Sequence, residues 1–373
     1  MNINGQHYYT IWEKEDQPEI IQILDQRYLP FELKIADLRM PDDFTFAIKE
    51  MQVRGAPLIG VTAAYGLFSA TLQAANMQNP VHYLKKTAQK LKNTRPTAVD
   101  LFFAVDLSFQ EILKKEHPED KIEVALQTAR QLKEKSIQSC RKIGEYGLAL
   151  IEEIHKKKDG KTIQILTHCN AGWLACIDYG TATAPIYLAF EKGIPVHVWV
   201  DETRPRSQGA RLTAYELSEH GVPHTVISDN SGGHLMQHGQ VDMVVVGTDR
   251  TTRAGDVANK IGTYLKALAA KDNDIPFYVA LPPSSIDWAI RDGIRDITIE
   301  TRSEKEVTHI EGWNGSKITE IQVTPFKSPA MNHGFDVTPS RLITGLITDR
   351  GICPASEKGL LGLFPEHKNK TNG

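Results

Sequence analysis

The sequence predicts an α/β protein of two domains, with helices filling its first half and a buried parallel sheet its second. Three observations carry the prediction. The chain has 373 residues, more than one hydrophobic core usually organises at roughly 100–200 residues per domain. Through much of the first half, apolar residues recur at three- and four-residue steps. From Thr162 onward short apolar runs alternate with helical ones, the texture of a parallel sheet covered on both faces.

Taken in order, the first twenty residues read as short extended segments, with Tyr8, Tyr9, Ile11 and Trp12 close together. From about Ile20 to Glu153 the pattern is read as mostly helical. Ile48, Met51, Val53, Leu58, Ile59, Val61, Ala64 and Leu67 follow the helical step, interrupted at Arg54-Gly55. A second run after Pro96 puts Leu101, Phe102, Val105, Phe109 and Ile112 on one face. A third covers about Glu119 to Ile154, with Gly144 and Gly147 as its weak points. Lys156-Lys157-Lys158-Asp159-Gly160 reads as a charged helix end in a solvated linker, which sets the domains at 1–155 and 156–373. The strand candidates that follow are Thr162–Thr167, Val196–Val200, His224–Ile227, Met243–Val246, Phe277–Ala280 and Ile318–Val323. The polar end, Glu366–Gly373, is expected to fray.

Composition narrows the function. Hydrophobic residues make up 41% and charged residues 24%, the mix of a packed globular chain. The net charge of −3 supplies no basic field for a nucleic-acid backbone or a membrane surface. No apolar run approaches the ~20 residues of a bilayer span, and Met1 to Asp16 lacks the pattern of a secretory signal. Cys140, Cys169, Cys176 and Cys353 are too few and too scattered for a disulfide framework. A soluble cytoplasmic protein without nucleic-acid or membrane partners is expected. Neither the dinucleotide signature Gly-x-Gly-x-x-Gly nor the phosphate loop Gly-x-x-x-x-Gly-Lys-Ser/Thr occurs, which disfavours a nicotinamide dehydrogenase and a P-loop nucleotidase.

In an open parallel sheet, ligands bind beyond the carboxyl ends of the strands, so the residues delivered there matter most. The first strand ends in Thr167-His168-Cys169-Asn170-Ala171-Gly172. The second leads into Asp201-Glu202-Thr203-Arg204-Pro205-Arg206-Ser207-Gln208-Gly209, the third into Ser228-Asp229-Asn230. The fourth ends in Gly247-Thr248-Asp249-Arg250 and the fifth in Pro282-Pro283-Ser284-Ser285. Cys169 is either a small buried hydrophobe or a thiol near backbone N–H donors. His168 is disfavoured as its base because adjacent strand residues point to opposite faces. No cysteine spacing suits zinc. Asp249 leaves the apolar run Val244-Val245-Val246, so desolvation raises its pKa toward that of a general acid, the alternative being a helix cap or a partner for Arg250. Arg54-Gly55-Ala56-Pro57 and Arg95-Pro96-Thr97 each place an Arg at a helix start, and Asn259-Lys260 sits in a Gly-rich segment. Together they suggest a phosphate pocket and a small phosphorylated substrate handled by acid/base chemistry.

The same residues carry a family resemblance. Arg54-Gly55-Ala56-Pro57-Leu58-Ile59-Gly60, Thr167-His168-Cys169-Asn170-Ala171-Gly172, Glu202-Thr203-Arg204-Pro205, Gln208-Gly209-Ala210-Arg211-Leu212-Thr213-Ala214, Gly255-Asp256-Val257-Ala258-Asn259-Lys260-Ile261-Gly262-Thr263-Tyr264 and Phe335-Asp336-Val337-Thr338-Pro339 resemble the methylthioribose-1-phosphate isomerases, over about residues 45–352 and in the right order. The wider superfamily includes ribose-1,5-bisphosphate isomerases, 5-deoxyribose-1-phosphate isomerases and the regulatory subunits of initiation factor 2B.

The resemblance implies a helical N-terminal domain preceded by a small antiparallel sheet, a Rossmann-like C-terminal domain, a site between them and a homodimer. It implies an aldose–ketose isomerase of methionine salvage acting on 5-methylthioribose 1-phosphate. Asp249 matches the general acid and Cys169 the residue that supports the transition state. Arg54, Gly55, Ala56, Arg95, Gln208, Asn259 and Lys260 match substrate-binding positions, and no metal or organic cofactor is implied. Trp173, Cys176, Thr248, Arg253, Pro283 and His333-Gly334 depart from the usual pattern. They leave the group accepted at carbon 5 open among methylthio, methyl and phosphate.

Overall fold

The computed structural model describes residues 1–95 and 99–368. The chain opens on a short hairpin, β1 (Asn2–Ile3) and β2 (Gln6–His7), turned by Asn4-Gly5, both at positive φ as a two-residue turn requires. An antiparallel sheet follows, with β3 (Ile11–Lys14) and β5 (Ile35–Leu38) on either side of β4 (Gln17–Leu24). The helical half therefore starts at Pro41 rather than near Ile20. Ile20, Ile21, Ile23 and Leu24 are all buried, and so short an aliphatic run carries no period that separates strand from helix.

Helices α1 (Pro41–Lys49), α2 (Ala56–Ala74), α3 (Pro80–Lys92), α4 (Val99–Leu113) and α5 (Pro118–Lys157) build the rest of this half. α2 is apolar on every side because the other four enclose it. Pro96 and Thr97, at the expected start of the second helical run, lie outside the described residues. α5 links the two halves. Ala125 and Ala129 belong to the helical core, whereas Ile143, Leu148 and Ile151 belong to the core of the second half. Gly144 and Gly147, expected as weak points, instead permit close packing on α6 (Ala184–Glu191). A Cβ on Gly147 would stand 2.4 Å from Pro185 Cγ.

The second half is built on β6 (Ile163–Thr167), β7 (Val196–Asp201), α7 (Ala214–Glu219), β8 (His224–Ile227), α8 (Ser231–Gln237), β9 (Met243–Val246), β10 (Arg250–Thr252), β11 (Val257–Lys260), α9 (Thr263–Asp272), β12 (Phe277–Ala280) and β13 (Ile286–Asp287). After these come β14 (His309–Trp313), β15 (Ile318–Gln322), β16 (Phe335–Thr338), β17 (Gly345–Thr348) and β18 (Gly351–Cys353). The main sheet runs β18-β17-β12-β9-β6-β7-β8, all parallel except β18. In chain order its parallel strands stand 3-2-1-4-5-6, the doubly wound arrangement expected of a Rossmann-like domain.

The candidate Ile318–Val323 does not join this sheet. It forms β15, paired antiparallel with β14 in a separate hairpin, and Ile321 is exposed. The place in the sheet belongs to β17, a short Gly-Leu-Ile-Thr segment without a long apolar run. A small sheet, β13-β10-β11-β16, stands beside the main one and carries Asn259 and Lys260 on β11.

Candidate active site

β6 and β9 are neighbours, yet the chain leaves β6 toward β7 on one side and β9 toward β12 on the other. Loops that diverge in this way open a crevice at the carboxyl ends of the strands. Cys169 follows β6 and Asp249 follows β9, so the crevice has the thiol on one wall and the carboxyl on the other. α2 closes it from the helical half. Gly55, at φ +89, is the hinge of that contact, since a Cβ there would lie 2.2 Å from the Ala175 carbonyl oxygen.

The resulting cavity encloses about 830 Å³, its open mouth included, and all nine residues expected at the site line it: Arg54, Gly55, Ala56, Arg95, Cys169, Gln208, Asp249, Asn259 and Lys260. They come from both halves of the chain. Asn170, Arg206 and Arg302 line it as well. Asn170 and Arg206 were visible in strand-end motifs but carried no separate signal. Arg302 lies in an irregular stretch with none. An adjoining recess is lined by Ile59, Ala258, Ile297, Ile299 and Phe335 together with Arg250, and it shares Arg95 and Asp249 with the main cavity.

Each key side chain is held. Cys169 takes a left-handed backbone, φ +69, secured by its N–H on Thr203 Oγ1 at 2.8 Å and its carbonyl accepting from Thr213 Oγ1 at 2.7 Å. Lys260 Nζ donates to the Gly334 carbonyl at 2.9 Å and lies 4.4 Å from the centre of the Phe335 ring. Asn259 Nδ2 donates to Thr263 Oγ1 at 3.0 Å. At the mouth, Arg206 and Arg302 share Glu306, with contacts of 2.9 and 2.7 Å. Burial works against its charge, but these two guanidiniums hold Glu306 down at about 2.

His168 does not serve Cys169. Its Nδ1 lies 2.9 Å from Asp201 Oδ2 and its Nε2 lies 2.9 Å from the Ile261 carbonyl, which can only accept, so Nε2 carries a proton. The ring thus ties the end of β6 to the residue after Lys260. His168, Asp201 and Asp229 stand close enough to hold a cation. The Lys266 ammonium already occupies that role, 3.3 Å from Asp201 Oδ2 and bonded to the Asp229 carbonyl.

The charges of the cavity oppose one another usefully. Asp249 is exposed to the open cavity, yet the protein packed around it partly desolvates its carboxyl and pushes it above the usual range. Lys260, Arg95 and Arg54 restrain the rise. Burial likewise pushes the Cys169 thiol up, against Arg54 and Lys260, and pushes the Lys260 ammonium down. The arrangement sets a carboxyl of raised pKa and a protonated thiol beside cations that can receive an anion. Of the unusual residues, Cys176 and Thr248 line the cavity, whereas Trp173 is fully buried and Arg253 pairs with Glu357 at 2.7 Å.

Residues 52–355 match the Initiation factor 2 subunit family, and the chain belongs to that family. Within it, the chain is 57% identical over 98% of its length to a methylthioribose-1-phosphate isomerase of Desulfatibacillum aliphaticivorans, 99% of which is covered. It is 56% identical, again over 98% of its length and 99% of the relative, to the protein of that name in Paramagnetospirillum magneticum. Among solved structures it resembles the 5-methylthioribose 1-phosphate isomerase of Pyrococcus horikoshii, with a TM-score of 0.83, 35% identity and 97% of each chain covered. It also resembles the translation initiation factor eIF-2B subunit delta of A. fulgidus, with a TM-score of 0.80, 36% identity, and 96% and 100% covered.

Proposed function

We propose that this protein is an aldose–ketose isomerase that converts 5-methylthioribose 1-phosphate into 5-methylthioribulose 1-phosphate, a step of methionine salvage. The observation that supports it most is the convergence of Asp249, Cys169 and a set of cations on one cavity at the switch point of the sheet. The names of its relatives support the substrate.

The chemistry suits these groups. Phosphate blocks the anomeric oxygen of a ribose 1-phosphate, so the ring does not open as a free sugar's does. Asp249, protonated, gives its proton to the ring oxygen as the bond from carbon 1 to that oxygen breaks. Hydrogen then moves from carbon 2 to carbon 1 while the carbon 2 hydroxyl gives up its proton, which restores the acid form of Asp249, leaving a carbonyl at carbon 2 and the phosphate on carbon 1. Cys169 acts at those carbons, relaying a proton if the path is an enolate and stabilising charge if a hydride moves. Arg54, Arg95, Lys260 and the N-terminal N–H groups of α2 hold the phosphate, while Gly55 and Ala56 give it close access to the backbone. Gln208 and Asn259 bind sugar hydroxyls.

The aliphatic lining of the recess beside Asp249, with Ile59, Ile297 and Ile299, favours a methylthio group at carbon 5. A non-catalytic regulatory subunit, the other reading of this family, would have no use for a desolvated acid and thiol in one cavity. We further propose a division at 155/156, within the last turn of α5, and a cytoplasmic homodimer. Sedimentation of the purified protein tests the dimer. No helix of the described residues is long and apolar enough to cross a membrane.

The deciding experiment compares turnover of 5-methylthioribose 1-phosphate and 5-deoxyribose 1-phosphate by purified protein. A higher kcat/KM for the methylthio sugar is expected. Preference for the deoxy sugar overturns the substrate, and turnover of neither overturns the isomerase reading.

A further inference from the structure

Behind Arg54 lies a buried polar chain that the isomerisation does not use directly. Glu216, on α7, is wholly enclosed, and its carboxylate accepts from Asn170 Nδ2 at 2.9 Å, from the Leu174 N–H at 2.8 Å and from the Tyr187 hydroxyl at 3.0 Å. The second amide hydrogen of Asn170 goes to Thr213 Oγ1 at 3.2 Å, whose own proton is committed to the Cys169 carbonyl at 2.7 Å. Both N–H groups of Asn170 are therefore assigned, and its Oδ1 turns to the cavity side, where it accepts from Arg54 Nη1 at 3.0 Å. The loop closes over the carboxylate only because residue 172 has no side chain: a Cβ on Gly172 would stand 1.6 Å from Glu216 Oε2.

This arrangement separates orientation from charge. A carboxylate bonded to Arg54 directly would neutralise it against the protein and weaken its hold on an anion. A neutral amide oxygen aims the guanidinium and leaves its charge available. An ionised carboxylate can only accept, so Glu216 prevents Asn170 from flipping and presenting its own N–H groups to Arg54. Burying a carboxylate costs more than an apolar side chain of similar size would, so its place behind the site calls for a role other than packing.

We propose that Glu216 is a positioning residue which, acting through Asn170, fixes the Arg54 guanidinium in the orientation that receives the substrate's phosphate. The proposal rests on the reading of the cavity as a sugar-phosphate site, and it concerns affinity rather than the chemical step.

The test compares wild type with Glu216→Gln, Asn170→Ala and the double variant at pH 8. Glu216→Gln is nearly isosteric, and unchanged circular dichroism and cooperative melting establish that each variant is folded. KM for 5-methylthioribose 1-phosphate is expected to rise about 5-fold in Glu216→Gln and about 20-fold in Asn170→Ala, with kcat changed less than about 2-fold. If Glu216 acts through Asn170, the double variant has the KM of Asn170→Ala, whereas independent effects would multiply to about 100-fold. A wild-type KM in Glu216→Gln, a fall in kcat at constant KM, or multiplying effects overturn the proposal. Calorimetric binding of inorganic phosphate to the same four proteins, with Arg54→Ala as the reference for a lost site, reads the same relay without turnover. Wild type that binds phosphate but isomerises neither sugar overturns the isomerase reading alone. Phosphate affinity equal in wild type and Glu216→Gln overturns the relay.

Discussion

Cys169 and Asp249 leave adjacent strands, β6 and β9, at the place where strand order reverses, so a thiol and a carboxyl far apart in sequence face one cavity from opposite walls. Both meet opposing influences: desolvation raises the pKa of each while Arg54 and Lys260 limit the rise. A site built this way sets a carboxyl of raised pKa beside cations suited to an anion.

Asp249→Asn removes the transferable proton and keeps the shape. Turnover is expected to fall by about 10³-fold or more, within the range for removing a general acid, while calorimetric phosphate binding persists. Activity retained within 10-fold of wild type would remove Asp249 from the acid's role.

The raised carboxyl of Asp249 also sets a pH dependence. A general acid acts while protonated, so kcat/KM falls on the alkaline side as Asp249 loses its proton. Lys260 stabilises the carboxylate, and Lys260→Met is expected to move that alkaline limb to higher pH as well as weakening substrate binding. A limb that stays in place in the pH–rate profile would show that another group titrates.

Cys169→Ser and Cys169→Ala separate the thiol from its bulk. Both are expected to lose about 10²-fold or more in kcat with folding intact, because the left-handed backbone at 169 is fixed by Thr203 and Thr213 and not by sulfur. An unchanged rate in Cys169→Ala would make the residue a packing element.

Burial pushes Glu216 from 4.5 up to about 7, with bonds from Asn170, Leu174 and Tyr187 opposing the rise. The folded protein then holds this proton more tightly than the unfolded chain, so the group's contribution to stability falls as pH rises from 4.5 through about 7. The penalty is about 3 kcal/mol above that window. Glu216→Gln removes it, and denaturant unfolding is expected to show the variant gaining on wild type between pH 5 and pH 8. A constant difference across that range would mean that Glu216 stays ionised in the fold.

The aliphatic lining of the recess gives a specificity test. Ile299→Ala is expected to lower kcat/KM for the methylthio sugar about 10-fold more than for the deoxy sugar, the scale of a lost aliphatic contact. Equal loss on both substrates would move carbon 5 elsewhere in the cavity.

Gly55→Ala brings a Cβ against the Ala175 carbonyl at a backbone angle that side chains resist, so the contact between α2 and the Cys169 loop cannot close. A cost of about 2–4 kcal/mol in unfolding free energy is expected, together with loss of phosphate binding. Wild-type stability would mean that α2 shifts without consequence.

The sequence by itself determined the class of the fold and most strands of the main sheet through local signals, near-continuous apolar strands and Pro and Gly at helix starts, while its motifs and family resemblance together named nine residues that all line one cavity. It misjudged Ile20–Leu24 and Ile318–Val323, where a short aliphatic run is compatible with more than one structure. It did not reveal the partners that make the residues function. That His168 braces the residue after Lys260 and that Glu216 aims Asn170 at Arg54 follow from contacts between positions 46 to 116 apart in the chain, and Arg302 reaches the cavity from a stretch with no local signal. Such contacts form only when strand order and helix docking are set, since no local preference encodes which distant polar group will meet a buried donor. Desolvation, which raises the pKa of Asp249 and Cys169, is likewise a property of the assembled cavity and of no segment alone.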